Sequence, residues 1–355
     1  MAKNKTKWTS IGGQALLEGI MMKGPEKTAM AVRHVAGNII TEETPAPPKK
    51  WYNKVPFIRG TANFIGQLME GYKYISRSAE LSGMMDEEDG EDLTKFEKWL
   101  NDKFGEKLMN VIMGIAMVVG IALAVVLFVF VPTWLFMLIQ KLAGETDISA
   151  YQSLFEGVLK IIIFLAYMWI TSLSKDIRRT YEYHGAEHKT IACYEAKLPL
   201  TVENVEKQTR FHPRCGTSFI FLVLIISILV YSVFPITNAL FMENFGVNET
   251  IAMILRVASK LLLLPVIVGI SYEIIRLAGK YDNIITRIIS TPGLWVQRLT
   301  TKEPDKSQIE VAIEAMNLVI PENNQKTAEA EIVGTDEEIE AEETEEAEEA
   351  DGDAE

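Results

Sequence analysis

Cysteine and histidine are scarce in this chain, two of the first and four of the second in 355 residues. Two cysteines cannot make the disulfide framework of a secreted domain, and a reduced, cytosol-facing location suits them better. The opening residues are basic and polar with no apolar core after them, so no cleaved secretory leader is expected. Basic residues are missing from the far end. Residues 327–355 hold 15 acidic side chains and no Lys or Arg. That tail accounts for the formal net charge of −13, and the rest of the chain is close to neutral. Nothing in this balance points to nucleic acid as a partner. A segment of such low aromatic content and such one-sided charge, from residue 321 onward, is expected to be disordered.

Charge is also sparse in long internal blocks. Crossing a bilayer takes about 20 apolar residues. Four runs qualify: 108–139, 154–173, 218–236 and 251–275. Pro132 is expected to end or kink the first. The loop 140–153 has only Lys141 and the loop 237–250 has no Lys or Arg. The segment between the second and third runs, 174–217, has eight: Lys175, Arg178, Arg179, Lys189, Lys197, Lys207, Arg210 and Arg214. By the positive-inside rule this segment is cytoplasmic, and four crossings then leave both termini in the cytoplasm. Arg276, Lys280, Arg287 and Arg298, after the last run, agree. The last run contains Arg256 and Lys260, near enough its start to snorkel outward, and Glu273, three residues from Arg276 on one helix face.

The remaining stretches suggest small elements. Residues 1–107 make an α+β cytoplasmic module. In it, 11–22 is a glycine-punctuated apolar stretch, too short for a span. Residues 28–34 and 38–44 form a hairpin about Val35-Ala36-Gly37. A helix over 61–80 carries Phe64, Ile65, Leu68, Met69, Tyr72 and Ile75 on one face, expected to pack on the membrane domain. An acidic loop at 85–92 and a short helix at 94–104 lead into the four-span domain, 108–275. In the C-terminal part, 276–320, residues 281–299 look interfacial, with Ile284, Ile285, Ile288, Leu294 and Trp295 dipping into the bilayer and Pro292-Gly293 breaking the segment. Asp305-Lys306-Ser307-Gln308 fits a capping box ahead of an amphipathic helix through Ile309, Ala312, Ile313 and Met316.

The scarce residue types are concentrated. Three of the four histidines and both cysteines lie in 174–217. The second span is expected to continue as helix past Lys175, which puts His184 and His188, at i and i+4, on one face. With Glu187 between them, HGAEH satisfies H-x-x-E-H, in which two histidines bind zinc and the glutamate acts as general base on metal-bound water. The string His212-Pro213-Arg214-Cys215-Gly216 has zinc-knuckle spacing with histidine for the first cysteine and a glycine to relieve crowding. His184, His188, His212 and Cys215 together offer three imidazoles and one thiolate, which suits tetrahedral Zn²⁺. Cys193 is a substitute ligand. Between the strings, 197–200 is a turn and Thr201 caps a short helix. Arg210 and Arg214 flank the site and suit anionic lipid or a phosphate headgroup. The bland alternative keeps the histidines as interfacial polar groups bonded to Tyr181, Tyr183 or headgroups.

GGQALLEGIMMKGP, AVRHVAGNI, YHGAEHKTIACYE, LTVENVEKQTRFHPRCGTSF, GISYEIIRLAGK and PGLWVQRLTTKEPDKSQIEVAI together resemble the YqhQ-like family of bacterial multi-pass membrane proteins of unknown function. The resemblance covers roughly residues 10–318. It implies a bacterial cell-membrane location and, through a predicted metal dependence, a role for His184, Glu187, His188, His212 and Cys215.

The expectation is therefore an α-helical, four-span membrane protein with a cytoplasmic zinc site. With four protein ligands the shell is closed, so zinc braces the cytoplasmic face of a non-enzymatic factor that assists or regulates another membrane-protein machine. The alternative is a membrane-bound hydrolase with an open site and Glu187 as base.

Overall fold

The computed structural model describes residues 9, 11–48, 50–83, 108–144 (108–113 by backbone alone), 146, 148–213, 215–234, 236–278, 281 and 283–321. The expected acidic loop, the helix over 94–104, Arg214, Lys280 and the acidic tail lie outside them. The chain divides into two compact units that cut across the chain-order segments. The first gathers Met1–Pro48, Arg179–Phe211 and Thr301–Glu355; the second gathers Lys49–Arg178 and His212–Thr300.

The first unit is built on a four-stranded antiparallel sheet, β1 (Gly12–Leu16), β2 (Gly19–Lys23), β3 (Lys27–Arg33) and β4 (Ile39–Pro45), in sequential order. The β3–β4 hairpin is the expected one. Its turn needs positive φ at Gly37, which sits at +92°, and Arg33 Nη1 donates to the Gly37 carbonyl at 2.9 Å. The β1–β2 hairpin occupies the stretch 11–22, whose turn has no Asn-Gly or Asp-Gly signal. Its turn residue is Glu18, a non-glycine at φ +49°. That conformation is held from outside. The Glu18 carboxylate takes two hydrogen bonds from Arg179, with Arg179 Nη2 at 2.6 Å, and one from the Tyr183 hydroxyl at 3.2 Å.

Helices pack on this sheet. The expected capping box forms: Asp305 Oδ1 accepts from the Gln308 amide at 2.9 Å, and Gln308 Oε1 accepts from the Asp305 amide at 2.9 Å. The helix that follows, Lys306–Val319, buries Ile309, Val311, Ala312, Ala315, Met316 and Val319 in one core with Ile20 and Met22 of β2 and Ala29 and Ala31 of β3. The i, i+3, i+7 recurrence of Ile309, Ala312 and Met316 is what turns one face to the sheet. Thr201 caps the short helix Val202–Glu206 as expected, accepting from the Asn204 amide, and the preceding turn puts Lys197 at φ +57°.

The second unit is helical. In chain order it holds α1 (Ile58–Leu81), α2 (Leu108–Val125), a π-helical turn (Val126–Phe130), α3 (Val131–Leu142), α4 (Gln152–Thr171), α5 (Lys175–Glu195, which passes into the first unit after Arg178), α7 (Gly216–Val233), α8 (Asn238–Phe245), α9 (Glu249–Ala278) and α10 (Ile284–Thr300); the first unit's Val202–Glu206 and Lys306–Val319 are α6 and α11. Four stretches are long and apolar enough to cross a membrane: Gly114–Leu142, Ser149–Thr171, Gly216–Val233 and Glu249–Ala278. Their side chains are largely exposed outside the protein, as lipid-facing surfaces are. Pro132 does not end the first stretch. The π turn just before it absorbs the missing amide and the helix runs on to Leu142. The second stretch does not continue past Lys175 without interruption. It ends at Thr171, and a turn at 172–174 precedes α5.

Four further expectations are corrected in this unit. Most of the apolar face of α1 does not pack inward: Ile65, Leu68, Met69, Tyr72 and Ile75 are exposed, and of the expected face only Phe64 packs, against Phe219 with ring centroids 5.6 Å apart. What α1 packs on α9 is its other side, where Gly60 lies against Gly269 and Tyr272, Asn63 Nδ2 donates to the Tyr272 hydroxyl at 3.0 Å and Arg59 pairs with Glu273. Glu273 thus has Arg59 as its main partner, with Arg276 3.8 Å away. Arg256 does not snorkel. It is 1 % exposed and donates to Glu156 Oε1 at 2.7 Å, while Lys260 donates to Glu156 Oε2 at 2.9 Å. Glu156 is the reason, because a carboxylate in α4 supplies the partner that water would otherwise supply. Pro292-Gly293 does not break α10, which is continuous over its 17 residues and leaves Ile284, Ile285, Ile288 and Trp295 exposed.

Candidate metal centre

His184 and His188 are where the spacing placed them, on successive turns of α5. Their ring centroids are 4.4 Å apart. The helix is buried through its middle, from Tyr183 to Ile191 apart from half-buried His184, although its mean polarity would suit a surface. Gly185 explains how it gets so close to its neighbours. A Cβ there would collide with the backbone carbonyl of Lys302, whose own amide donates to the Tyr181 carbonyl at 2.8 Å. The glycine of HGAEH is therefore a packing requirement between α5 and the strand-like passage into α11.

His188 is 2 % exposed, and its Nδ1 lies 2.6 Å from the Arg210 carbonyl oxygen. A carbonyl has no hydrogen to give, so Nδ1 carries the proton and donates. In the neutral ring that leaves Nε2 as the bare nitrogen. This is how proteins orient a metal-ligating histidine and fix its tautomer. The loop bearing Arg210 is itself tied down. Glu303 pairs with Arg210 at 2.8 Å and with Lys189 of α5 at 2.8 Å, and Lys189 also donates to the Glu206 carbonyl at 2.9 Å. Burial works to raise the Glu303 carboxyl, but Lys189 and Arg210 overcome it and hold it below the usual carboxylate range. Arg210 is thus spent on this clamp and on the Phe211 ring, 5.2 Å away, instead of on lipid.

Glu187 is 4 % exposed, and its side-chain carbons lie against Gly13 of β1, where a Cβ would meet Glu187 Cγ at 2.9 Å. Cys193 is fully buried in the core of the first unit with its sulfur 3.5 Å from the Pro199 carbonyl, and burial pushes its thiol up to about 11. Its sulfur is taken up inside that core by the Leu198 and Pro199 carbonyls.

The second string lies in the other unit. Cys215 is the N-cap residue of α7, 7 % exposed, with the Thr217 hydroxyl 3.2 Å from its sulfur. His212 is 7 % exposed and gripped through its backbone. Its amide donates to Gln297 Oε1 at 2.8 Å, and its carbonyl accepts from Gln297 Nε2 at 2.6 Å. Gln297, fully buried in α10, also donates to Ser218 Oγ at 2.8 Å. Nothing in the spacing pointed to this glutamine. Its one signal was a polar residue beside Val296 in an otherwise interfacial stretch. Gly216 does not serve as a knuckle glycine. It begins α7, and a Cβ there would meet only Gln67 Nε2 at 3.5 Å, an ordinary contact.

Fold and site together define a mostly helical protein with a small N-terminal sheet, four helices fit to cross a membrane, and histidine and cysteine donors held by buried backbone contacts. Residues 55–322 match the family described as "Protein of unknown function (DUF1385)". The chain is 36 % identical over 335 residues to "Uncharacterized protein YqhQ" of Bacillus subtilis (strain 168), covering 92 % of this chain and 98 % of that one. It belongs to the DUF1385 family. No solved structure matches it.

Proposed function

We propose that this is a multi-pass membrane protein of the bacterial cell membrane, with both termini cytoplasmic, in which His184, His188, His212 and Cys215 hold one zinc ion. The observation that carries the reading is the Nδ1–H···O=C bond from His188 to Arg210, which prepares Nε2 as a ligand. Covalent reach supports the rest. His212 and Cys215 follow Arg210 by two and five residues, and an extended chain spans at most about 3.6 Å per residue. The carbonyl that orients His188 therefore stands on the same short stretch as the second pair of donors. One thiolate and three imidazoles are a donor set zinc accepts, and four protein ligands leave no position for water. In that closed shell zinc supplies a covalent-strength tie, and His188, Cys215 and Gln297 supply orientation.

On this reading the protein is a non-enzymatic factor that assists or regulates another membrane-protein machine. Glu187 fits a bracing role, since its carbons fill the contact with Gly13 of β1. The alternative, a membrane-bound hydrolase with Glu187 as general base, rests on the H-x-x-E-H order and needs one of the four ligands to be absent.

Elemental mass spectrometry on detergent-purified protein tests this. About one zinc per chain, lost in both His188→Ala and Cys215→Ala, supports the closed site. Zinc lost in His188→Ala but kept in Cys215→Ala supports the open one, and hydrolysis lost in Glu187→Gln with metal retained would then establish catalysis. No metal in the unsubstituted protein after zinc supplementation overturns both.

A further inference from the structure

The second unit holds a cluster of charge inside its apolar helices that the metal reading leaves unused. Glu156 of α4 is 2 % exposed and accepts from Arg256 and Lys260 of α9 and from Gln152 Nε2 at 2.9 Å. Arg256 also donates through Nη2 to Thr133 Oγ1 at 2.8 Å, and Thr133 stands three residues past the π turn of the first apolar helix. Such π turns recur where a helix re-aims a functional side chain. Lys160, one turn beyond Glu156 on α4, joins the same electrostatic group.

The charges do not balance. Arg256, Lys260 and Lys160 face one carboxylate, Glu156, among the described residues. Arg256 Nε is buried with no hydrogen-bond partner among them, and Lys160 makes no hydrogen bond or ion pair there. An excess of positive charge in an apolar environment is expensive unless an anion completes it. Arg256 and Lys260 are seven and eleven residues into α9, and Glu156 and Lys160 four and eight into α4, so the cluster lies about 6 to 16 Å along these helices from their starts. The Lys260 side chain is 14 % exposed, with its ammonium 2.9 Å from Glu156 Oε2 and over the Tyr231 ring at 5.2 Å.

We propose that Arg256, Lys260 and Lys160 form a binding site for a phosphate-bearing anion between α4 and α9, with Glu156 and Thr133 fixing the guanidinium. The ligand is a phospholipid headgroup or free phosphate. Two lysines and a fixed guanidinium present their donors as phosphate requires, and the lysine stems run along apolar surface as acyl chains would. The inference rests on reading the apolar helices as spans, and recovery of the protein in carbonate-washed membranes tests that reading by itself.

The test is native mass spectrometry of the full-length, delipidated protein in detergent. It is titrated with phosphatidylglycerol, with phosphatidylcholine and with inorganic phosphate. The expected result is one saturable phosphatidylglycerol adduct per chain, at least about tenfold tighter than phosphatidylcholine, the value of one charge-assisted contact. Lys260→Gln and Lys160→Gln, each of which leaves Arg256 paired to Glu156, should each weaken it about tenfold. Competition by millimolar phosphate assigns the site to the free anion; its absence assigns it to the headgroup. Equal retention of the two lipids by the unsubstituted protein with no phosphate adduct, or phosphatidylglycerol binding unchanged in both lysine variants, overturns the proposal. The lipid comparison needs no variant, so it holds even if one misfolds.

Discussion

The Arg210 carbonyl accepts from His188 Nδ1 at 2.6 Å across 22 residues of sequence. That bond fixes which ring nitrogen is bare. In long-range ¹H–¹⁵N correlation spectra of the protein labelled at histidine, His188 should therefore show a protonated Nδ1 and an unprotonated Nε2, before any metal is added. Adding one equivalent of zinc should shift Nε2 and leave Nδ1 protonated. A protonated Nε2 in the metal-free protein would sink the proposed ligand role, because the ligating lone pair would then be occupied.

The Glu156 cluster predicts non-additive stability. Taking away the carboxylate in Glu156→Gln leaves Arg256 buried without its counter-charge, a change that costs about 3–5 kcal/mol. Arg256→Gln removes the guanidinium from the same network and should also destabilise. The double variant should cost clearly less than the two singles added together, since residues in one network couple by about 0.5–3 kcal/mol. Thermal unfolding in detergent reads all three. Additivity within about 0.5 kcal/mol would mean that Glu156 and Arg256 do not act as a unit.

How far these features were legible follows from what kind of signal each one leaves. The four apolar helices, the β3–β4 hairpin, the Asp305–Gln308 capping box and the His184/His188 pair are local. Each depends on spacing within one element, and spacing is written in the sequence. The β1–β2 hairpin was not legible, because its turn at Glu18 is stabilised by Arg179, 161 residues away. Gln297 on His212 and Glu156 on Arg256 are likewise long-range pairs, separated by 85 and 100 residues. The chain-order segmentation missed the first unit for the same reason, since its sheet, α5 and α11 come from three distant stretches. The α1 face was seen correctly as apolar, but hydrophobicity alone cannot say whether protein or lipid covers it.

Asp305 should make the docking of α11 pH-dependent. Burial works to raise its carboxyl, but the Ser307 hydroxyl at 2.6 Å, the Gln308 amide and Arg179 overcome it and hold it below the usual Asp range. A carboxyl depressed in the folded state contributes stability above its unfolded value, about 3.9, and loses it as pH falls through the lower folded value. Asp305→Ala should cost about 1 kcal/mol at pH 7, the worth of an N-cap. Amide exchange of residues 306–319, followed by mass spectrometry, should show that difference from the unsubstituted protein shrinking below about pH 4. A difference that persists undiminished at pH 3 would show that the charge of Asp305 carries no part of the cap.

The exposed face of α1 leads to the last prediction. Leu68 is 58 % and Met69 70 % exposed, on a helix whose other side, at Gly60, lies against Gly269 and Tyr272 of the last apolar helix. Water is a poor cover for five large apolar side chains in one stripe, whereas bilayer is a good one, and a helix lying along a span is already at that depth. Arg59 and Glu273, the charges nearest this contact, neutralise each other, as an apolar setting requires. Cysteines placed at Leu68 and Met69 should therefore react slowly with a charged, water-soluble maleimide in membrane fragments open on both sides. A cysteine at Lys73, exposed on the same helix but off the stripe, should react quickly. Native Cys193 and Cys215 are buried and give the background rate. If Leu68→Cys and Met69→Cys label as fast as Lys73→Cys, the stripe faces water. If they are slow in membranes and remain slow in detergent that strips lipid, protein rather than bilayer covers them. Slow labelling in membranes that becomes fast on adding short-chain detergent is the outcome expected of a lipid-covered face.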